Sequence, residues 1–258
     1  MTRGLANLGA ATLRQIEELG RMIRFGARIV MAASRPPFRW RAFMAAVYDS
    51  GVLSVALICA AGLTVGFVLG LQLYNTLVRF GAEDSLGTAV GLSLIRELGP
   101  VLTGLLVTGR AGSAITAEIG AMRTGQQLDG LRMMAIDPIH FVVMPRAMAI
   151  FFVLPLLSAL FVSLGIFGAY LIGVELLGLD GGTFLASLEA AVEFDTDVLQ
   201  SLVKSVVFGV LLALIATWRG YSCEPHSAGV SRATTSTVVT ASIAILLADY
   251  LLTALWSL

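Results

Sequence analysis

Lysine is almost missing from this chain: of its 258 residues seventeen are basic, and sixteen of those are arginine, leaving only Lys204. A phosphate-binding loop of the GxxxxGK[ST] kind needs a lysine directly after a glycine. Lys204 follows Val203, so the chain cannot hydrolyse ATP through such a loop by itself. Cysteine is as scarce. Cys59 sits in an apolar run and Cys223 in a short polar stretch, with no metal-ligand spacing between them, which points to two separate thiols and away from a disulfide or a metal site. His140 and His226 have no nucleophile or ligand set around them and read as surface or packing residues. Charge is thin at 13% of residues, and 17 acids balance 17 bases, so global charge predicts no nucleic-acid partner.

What fills the space is apolar. Hydrophobic residues make up 57% of the chain and the mean hydropathy is +0.87, values that belong to an integral membrane protein. Five runs reach or exceed the roughly 20 residues that cross a hydrocarbon core: Ser50 to Val78, Leu86 to Gly109, Ala147 to Val174, Val198 to Trp218 and Ala233 to Trp256. No apolar stretch with a small-residue cleavage site opens the sequence, so no cleaved leader is expected. Over residues 5 to 33 instead, Leu5, Leu8, Ile16, Leu19, Ile23 and Val30 fall near helical spacing while Arg14, Arg21, Arg28 and Arg35 recur every seven residues. That pattern predicts an amphipathic helix lying in the membrane interface. Pro36 and Pro37 end it, and Trp40, Phe43 and Tyr48 suit an interfacial aromatic belt.

Orientation follows from arginine placement. Eight precede the first span and four lie between residues 110 and 146, whereas residues 175 to 197 hold six acids and no base. The positive-inside rule then places the N-terminus and the loops 110–146 and 219–232 in the cytoplasm, and the loops 79–85 and 175–197 and the C-terminus outside. Gly62, Gly66 and Gly70 in the first span, and Gly165, Ala169 and Gly173 in the third, form faces of small residues that allow close helix approach, either within one subunit or between two copies.

Four charges nevertheless lie inside the outer half of the bilayer: Arg96 and Glu97 in the second span, Lys204 in the fourth, Asp249 in the fifth. An isolated charge there costs about 2.5 to 3.5 kcal/mol even on a lenient scale, so each needs a partner or a wet cavity. Arg96 and Glu97, neighbours on a helix, point about 100° apart and cannot chiefly serve each other. We expect Glu97 to meet Lys204 with Asp249 nearby, leaving Arg96 to face a cavity that takes an anionic headgroup; the plainer reading is an ion-pair network that sets helix register. Gly99 and Pro100 follow directly, and a kink there either widens a pocket or is packing geometry. The cytoplasmic segment after the second span mixes Glu118, Gly120, Met122, Leu128, Leu131, Met133 and Met134. Broken at Gly125, Gly130 and Pro138, it reads as one or two short helices with apolar faces suited to a groove on a partner.

The stretch LSLIRELGPVLTGLLVTGRAGSAITAEIGAMRTGQQLDGLRMMAIDP, Leu92 to Pro138, together with KSVVF at Lys204 to Phe208 and SAGVSRATTSTVV at Ser227 to Val239, resembles the MlaE (YrbE) permeases of MCE-type lipid ABC transporters. The resemblance implies an all-α integral membrane fold filling residues 1–258 as one permease domain, with an interfacial helix and linker over 1–47 and five spans over 48–258. It implies a homodimer in the bacterial inner membrane that moves phospholipid between inner and outer membranes and so keeps the outer membrane asymmetric. The partners it implies are a cytoplasmic MlaF-like ABC ATPase holding ATP and magnesium, a hexameric periplasmic MlaD-like MCE protein and a MlaB-like STAS-domain protein. This chain itself would be no enzyme and carry no cofactor. By the same resemblance Arg96, Glu97, Lys204, Arg232 and Asp249 are polar positions of the lipid site, and Leu69, Leu77, Phe80 and Leu98 line its apolar part, Phe80 standing where relatives carry tyrosine. Glu118, Gly120, Met122, Leu128, Leu131, Met134, Asp137 and Pro138 would belong to the segment that docks on the ATPase. From the residues alone, Arg232 reads as a positive-inside anchor. Two other function classes remain open on sequence: a secondary transporter driven by protons through Glu97 and Asp249, and a scaffold that anchors the periplasmic ring.

Overall fold

A computed structural model describes residues 2–256; the side chains of residues 2–12, Arg14 and Gln15 lie outside the described set, and with them the Leu5, Leu8 and Arg14 positions of the interfacial pattern. The described chain is helical, with no strand: α1 (Thr2–Ala33), α2 (Trp40–Phe80), α3 (Glu83–Thr124), α4 (Gln127–Met133), α5 (Ile139–Leu176), α6 (Gly181–Ala191), α7 (Phe194–Ser222) and α8 (Ser227–Trp256). Helices α2, α3, α5, α7 and α8 are long and apolar enough to cross a membrane. The protein is an all-α, multi-pass integral membrane protein.

The helices outrun the predicted spans. Helix α3 has 42 residues, about 63 Å of rise, twice a hydrocarbon core. It therefore carries the stretch from Arg110 to Thr124, expected to form a separate short helix beyond the span, as a continuation of the spanning helix. Gly130 does not break the next segment either but sits inside α4, since a lone glycine costs a helix only about 1 kcal/mol. The acidic loop 175–197 contains α6. Asp180 starts it by accepting the Thr183 N–H at 2.8 Å, and those Thr183 bonds hold the Asp180 carboxyl below the usual range.

The small-residue face of α2 is used within the chain. A Cβ on Gly66 would stand 2.1 Å from the Gly165 carbonyl oxygen, and one on Gly62 2.8 Å from that of Phe161, so α2 and α5 touch backbone to backbone. Helix α7 lies against α5 at Gly209 and against α3 at Gly220, where a Cβ would be 2.8 Å from the Thr116 carbonyl. At one end of the bundle α6 covers the start of α3, and Thr88 Oγ1 donates to the Ser187 carbonyl at 2.8 Å. At the other end α1 docks on the end of α7: Phe25 is buried against Trp218 and Tyr221, with ring centroids 5.3 and 5.1 Å away, and Arg219 pairs with Glu18 at 2.9 Å. Ile16, Leu19, Ile23 and Val30 stay exposed on the opposite side of α1, an apolar strip suited to lipid.

Candidate functional site

The geometry starts from a missing donor. Leu94–Leu98 of α3 is a π-turn, in which the Gly99 N–H reaches back to the Leu94 carbonyl, and Pro100 follows with no N–H to offer the carbonyl of Arg96 four residues earlier. An orphaned carbonyl in an apolar interior is costly unless another donor arrives. Lys204 of α7 supplies it: Nζ donates to the Arg96 carbonyl at 2.9 Å, to Glu97 Oε2 at 2.7 Å and to Thr253 Oγ1 at 2.7 Å. Asp249 Oδ1 lies 2.9 Å from the same nitrogen as a charge contact out of hydrogen-bond alignment. The Thr253 hydroxyl in turn donates to Glu97 Oε1 at 3.1 Å. Asp249 and Thr253, four residues apart, share one face of α8. Glu97, Lys204 and Asp249 thus come together as their depths in the spans suggest, and Lys204 ties α3, α7 and α8 at one point.

Arg96 departs from expectation. Its guanidinium is not left without a protein partner: Nε binds Asp197 Oδ1 at 2.5 Å, and Asp197 Oδ2 accepts the Glu193 N–H at 2.9 Å. Asp197, counted among the acids of the outer loop, belongs to the first turn of α7 and is buried. A signal for it existed. Asp197, Gln200 and Lys204 stand at i, i+3 and i+7, a polar stripe along one face of an otherwise apolar helix, and all three are buried. Thr253 was likewise readable one turn beyond Asp249.

Exposure divides the cluster into an inner and an outer part. The Lys204 and Asp197 side chains are each 1% exposed and Asp249 19%, while Glu97 is 40% and Arg96 46% exposed. Two adjacent charges of opposite sign therefore emerge on the flank of a single chain, each fixed from behind by a buried partner of the opposite charge. With every group ionised, three carboxylates face two cations and leave one negative charge in excess. Leu98, next in sequence, is half-buried; Leu69 and Leu77 pack partly into the core along α2, and Phe80 is exposed at its C-terminal end. Arg232 is not part of this cluster. It sits near the start of α8, 3.7 Å from Glu224, and the 17 residues to Asp249 amount to about 25 Å of helix.

At the opposite end of the bundle the predicted docking residues separate as well. Gly120, Leu128 and Pro138 are buried, and Met122 and Leu131 pack partly into the core, so they hold the segment in place. Glu118 is forked to Arg146 of α5 at 2.9 and 2.5 Å, and Asp137 accepts the Ile139 N–H at 3.0 Å where α5 begins. The freely presented apolar side chains are Met133 and Met134. Arg132 of α4 donates to Tyr221 Oη at 2.6 Å, and Arg123 donates to the Tyr221 carbonyl. The contact with Tyr221 first, and Asp129 beside it, raise the pKa of Arg132.

A second cation, half-buried, is held by a backbone carbonyl as Lys204 is. Arg110 lies in a π-turn of α3, Thr108–Gly112, that faces another in α2, Tyr48–Val52, and it donates to the Asp49 carbonyl at 2.8 Å and Ser54 Oγ at 2.7 Å.

Comparison with known proteins gives the same picture along the whole chain. A protein of Haemophilus influenzae named intermembrane phospholipid transport system permease protein MlaE is 44% identical, over 97% of this chain and 96% of its own. A probable ABC transporter permease protein of Rickettsia bellii is 38% identical over 99% of both chains. The chloroplastic protein TRIGALACTOSYLDIACYLGLYCEROL 1 of Arabidopsis thaliana is 29% identical over 87% of this chain and 64% of its own. The sequence profile of the Permease MlaE family matches residues 43–255, and the chain belongs to that family.

Proposed function

We propose that this protein is the permease subunit of an ATP-driven complex that moves phospholipid between the inner and outer membranes and thereby maintains outer-membrane lipid asymmetry. The observation that carries the reading is the half-exposed Arg96 and Glu97 pair, held in the bilayer by buried Asp197 and Lys204. A charge that is both partnered and open to the flank is matched to an amphiphile that brings its own charges into an apolar layer. The names of the Haemophilus and Rickettsia relatives support phospholipid as cargo and an ABC assembly as machinery.

The chain sits in the inner membrane with its N-terminus in the cytoplasm and its C-terminus in the periplasm, as its arginines favour. ATP and magnesium are held by a separate ABC ATPase that receives Met133 and Met134, a STAS-domain protein binds that ATPase, and a hexameric MCE protein stands on the periplasmic side. Because Arg96 and Glu97 open onto a flank, a hollow around them needs a second wall, and a second copy of the chain supplies it. Motor closure pushes on α4, shifts the helices between two packings and changes the lipid site from accepting to expelling.

Co-reconstitution of the chain with the ATPase and MCE proteins in liposomes, with a fluorescent phospholipid, tests the reading. ATP-dependent transfer that falls at least tenfold in Arg96→Ala or Glu97→Gln is expected. The excess carboxylate favours one alternative, a proton-driven carrier. Lipid movement by the chain alone under a pH gradient, indifferent to ATP, would establish that alternative and reject the permease reading.

A further inference from the structure

We infer that Tyr221 is the positioning residue through which the cytoplasmic segment governs the buried charge cluster, and that α7 is the rod that carries the movement. The inference rests on the permease reading above and adds the route within this chain. Tyr221 is grasped twice from the cytoplasmic side. Arg132 of α4 binds its hydroxyl at 2.6 Å and Arg123, at the end of α3, binds its carbonyl. The carbonyl bond places a cation on the C-terminal end of α7, where the helix dipole favours it. Its ring meanwhile packs on Phe25 of α1, 5.1 Å between centroids.

From Tyr221 outward, α7 is regular past Lys204 as far as Leu199. Leu199–Ser222 is 24 residues of regular α-helix, about 36 Å, with no π-turn and no proline. Lys204 stands near the far end of this stretch and binds Glu97, and Asp197, in the π-turn Phe194–Val198 that opens α7, binds Arg96. Helix α3 runs beside it between the same two ends, but it is interrupted at Leu94–Leu98, at Pro100 and at Thr108–Gly112, the kinds of break that let a helix bend. A push on the cytoplasmic half of α3 is therefore absorbed at those breaks. The same push on Tyr221 arrives undiminished at Lys204. Small residues on the buried face of α7, Gly209, Ala213, Ala216 and Gly220, leave a smooth surface of the kind along which packed helices shift.

The test uses the complete assembly in proteoliposomes: lipid transfer and ATP hydrolysis are read with Leu98 intact, and Leu98→Cys, in a background where Cys59 and Cys223 are serine, serves only for labelling from outside by a membrane-impermeant maleimide. In the parent, ATP changes both the labelling rate and lipid transfer. In Tyr221→Phe, which keeps the ring and loses the hydroxyl, labelling without nucleotide should match the parent, ATP hydrolysis should persist, and lipid moved per ATP should fall about tenfold, the worth of one charge-assisted hydrogen bond. The ATP-induced change at residue 98 should vanish with it. If Tyr221→Phe lowers the yield of the assembly, Arg132→Gln removes the same bond from its exposed partner and the same readouts decide. Parental transfer per ATP together with a parental labelling response overturns the inference. No ATP-dependent transfer in the parent itself overturns the permease reading instead.

Discussion

Replacing Lys204 by methionine isolates the energetics of the cluster. Methionine keeps the length of the side chain and removes one ammonium. That ammonium is 1% exposed and serves four oxygens: Glu97 Oε2, Asp249 Oδ1, Thr253 Oγ1 and the Arg96 carbonyl. Breaking a fully buried ion pair costs about 3 to 5 kcal/mol because the remaining charge is stranded. Glu97, 40% exposed, can turn toward polar surroundings and softens the loss, whereas Asp249 at 19% cannot, so the lower end, about 3 kcal/mol, is expected. Neutralising the stranded acids in Glu97→Gln/Lys204→Met/Asp249→Asn should recover most of it, since buried ion pairs exchange for neutral groups at little net cost. Unfolding in mixed micelles with rising SDS, followed by Trp fluorescence, gives the stability; the liposome transfer assay gives the activity. Lys204→Met unfolding at the same SDS fraction as the parent would refute the claim that the ammonium holds the cluster together. A triple variant that regains transport as well as stability would reduce the cluster to a device for helix register.

Other perturbations follow from single contacts. Gly66→Leu forces a side chain into the Gly165 backbone and should destabilise by at least about 3 kcal/mol, the upper end for overpacking, seen in the same SDS titration. Met133→Asp with Met134→Asp, both on exposed side chains, should leave unfolding within about 0.5 kcal/mol of the parent while abolishing co-purification of the ATPase; retained co-purification would remove these methionines from the docking surface. Pro100→Ala gives the Arg96 carbonyl its own helical donor, so Lys204→Met should cost about 1 kcal/mol less in that background, and strict additivity would show that proline and lysine are not linked. Burial, opposed by nearby Arg123, pushes the Cys223 thiol up, so alkylation of Cys223 at about pH 8 should lag far behind that of the SDS-unfolded chain, and equal rates would contradict its burial.

The spans and their charges were legible because lipid punishes exceptions: Ser50 to Val78 has no charge at all, so Glu97, Lys204 and Asp249 stand out as groups that need company. Their depth along each helix was enough to bring them together. Asp197 was hidden by its neighbourhood, since five further acids around it made a solvated loop the natural reading, and only its spacing to Gln200 and Lys204 revealed the buried face. The length of α3 was hidden for another reason. Arg110 and the small polar residues after it end a hydrophobic run without ending a helix, because leaving the membrane is a change of solvent and not of backbone conformation. Whether the glycine faces served one chain or two turned on packing, which spacing alone does not encode.

Because the backbones of α2 and α5 meet at Gly66 and Gly165, the seam between them is too narrow for an acyl tail. These two helices form a continuous fence, impermeable along that line, and a bilayer lipid bound for the paired charges has to enter by another gate.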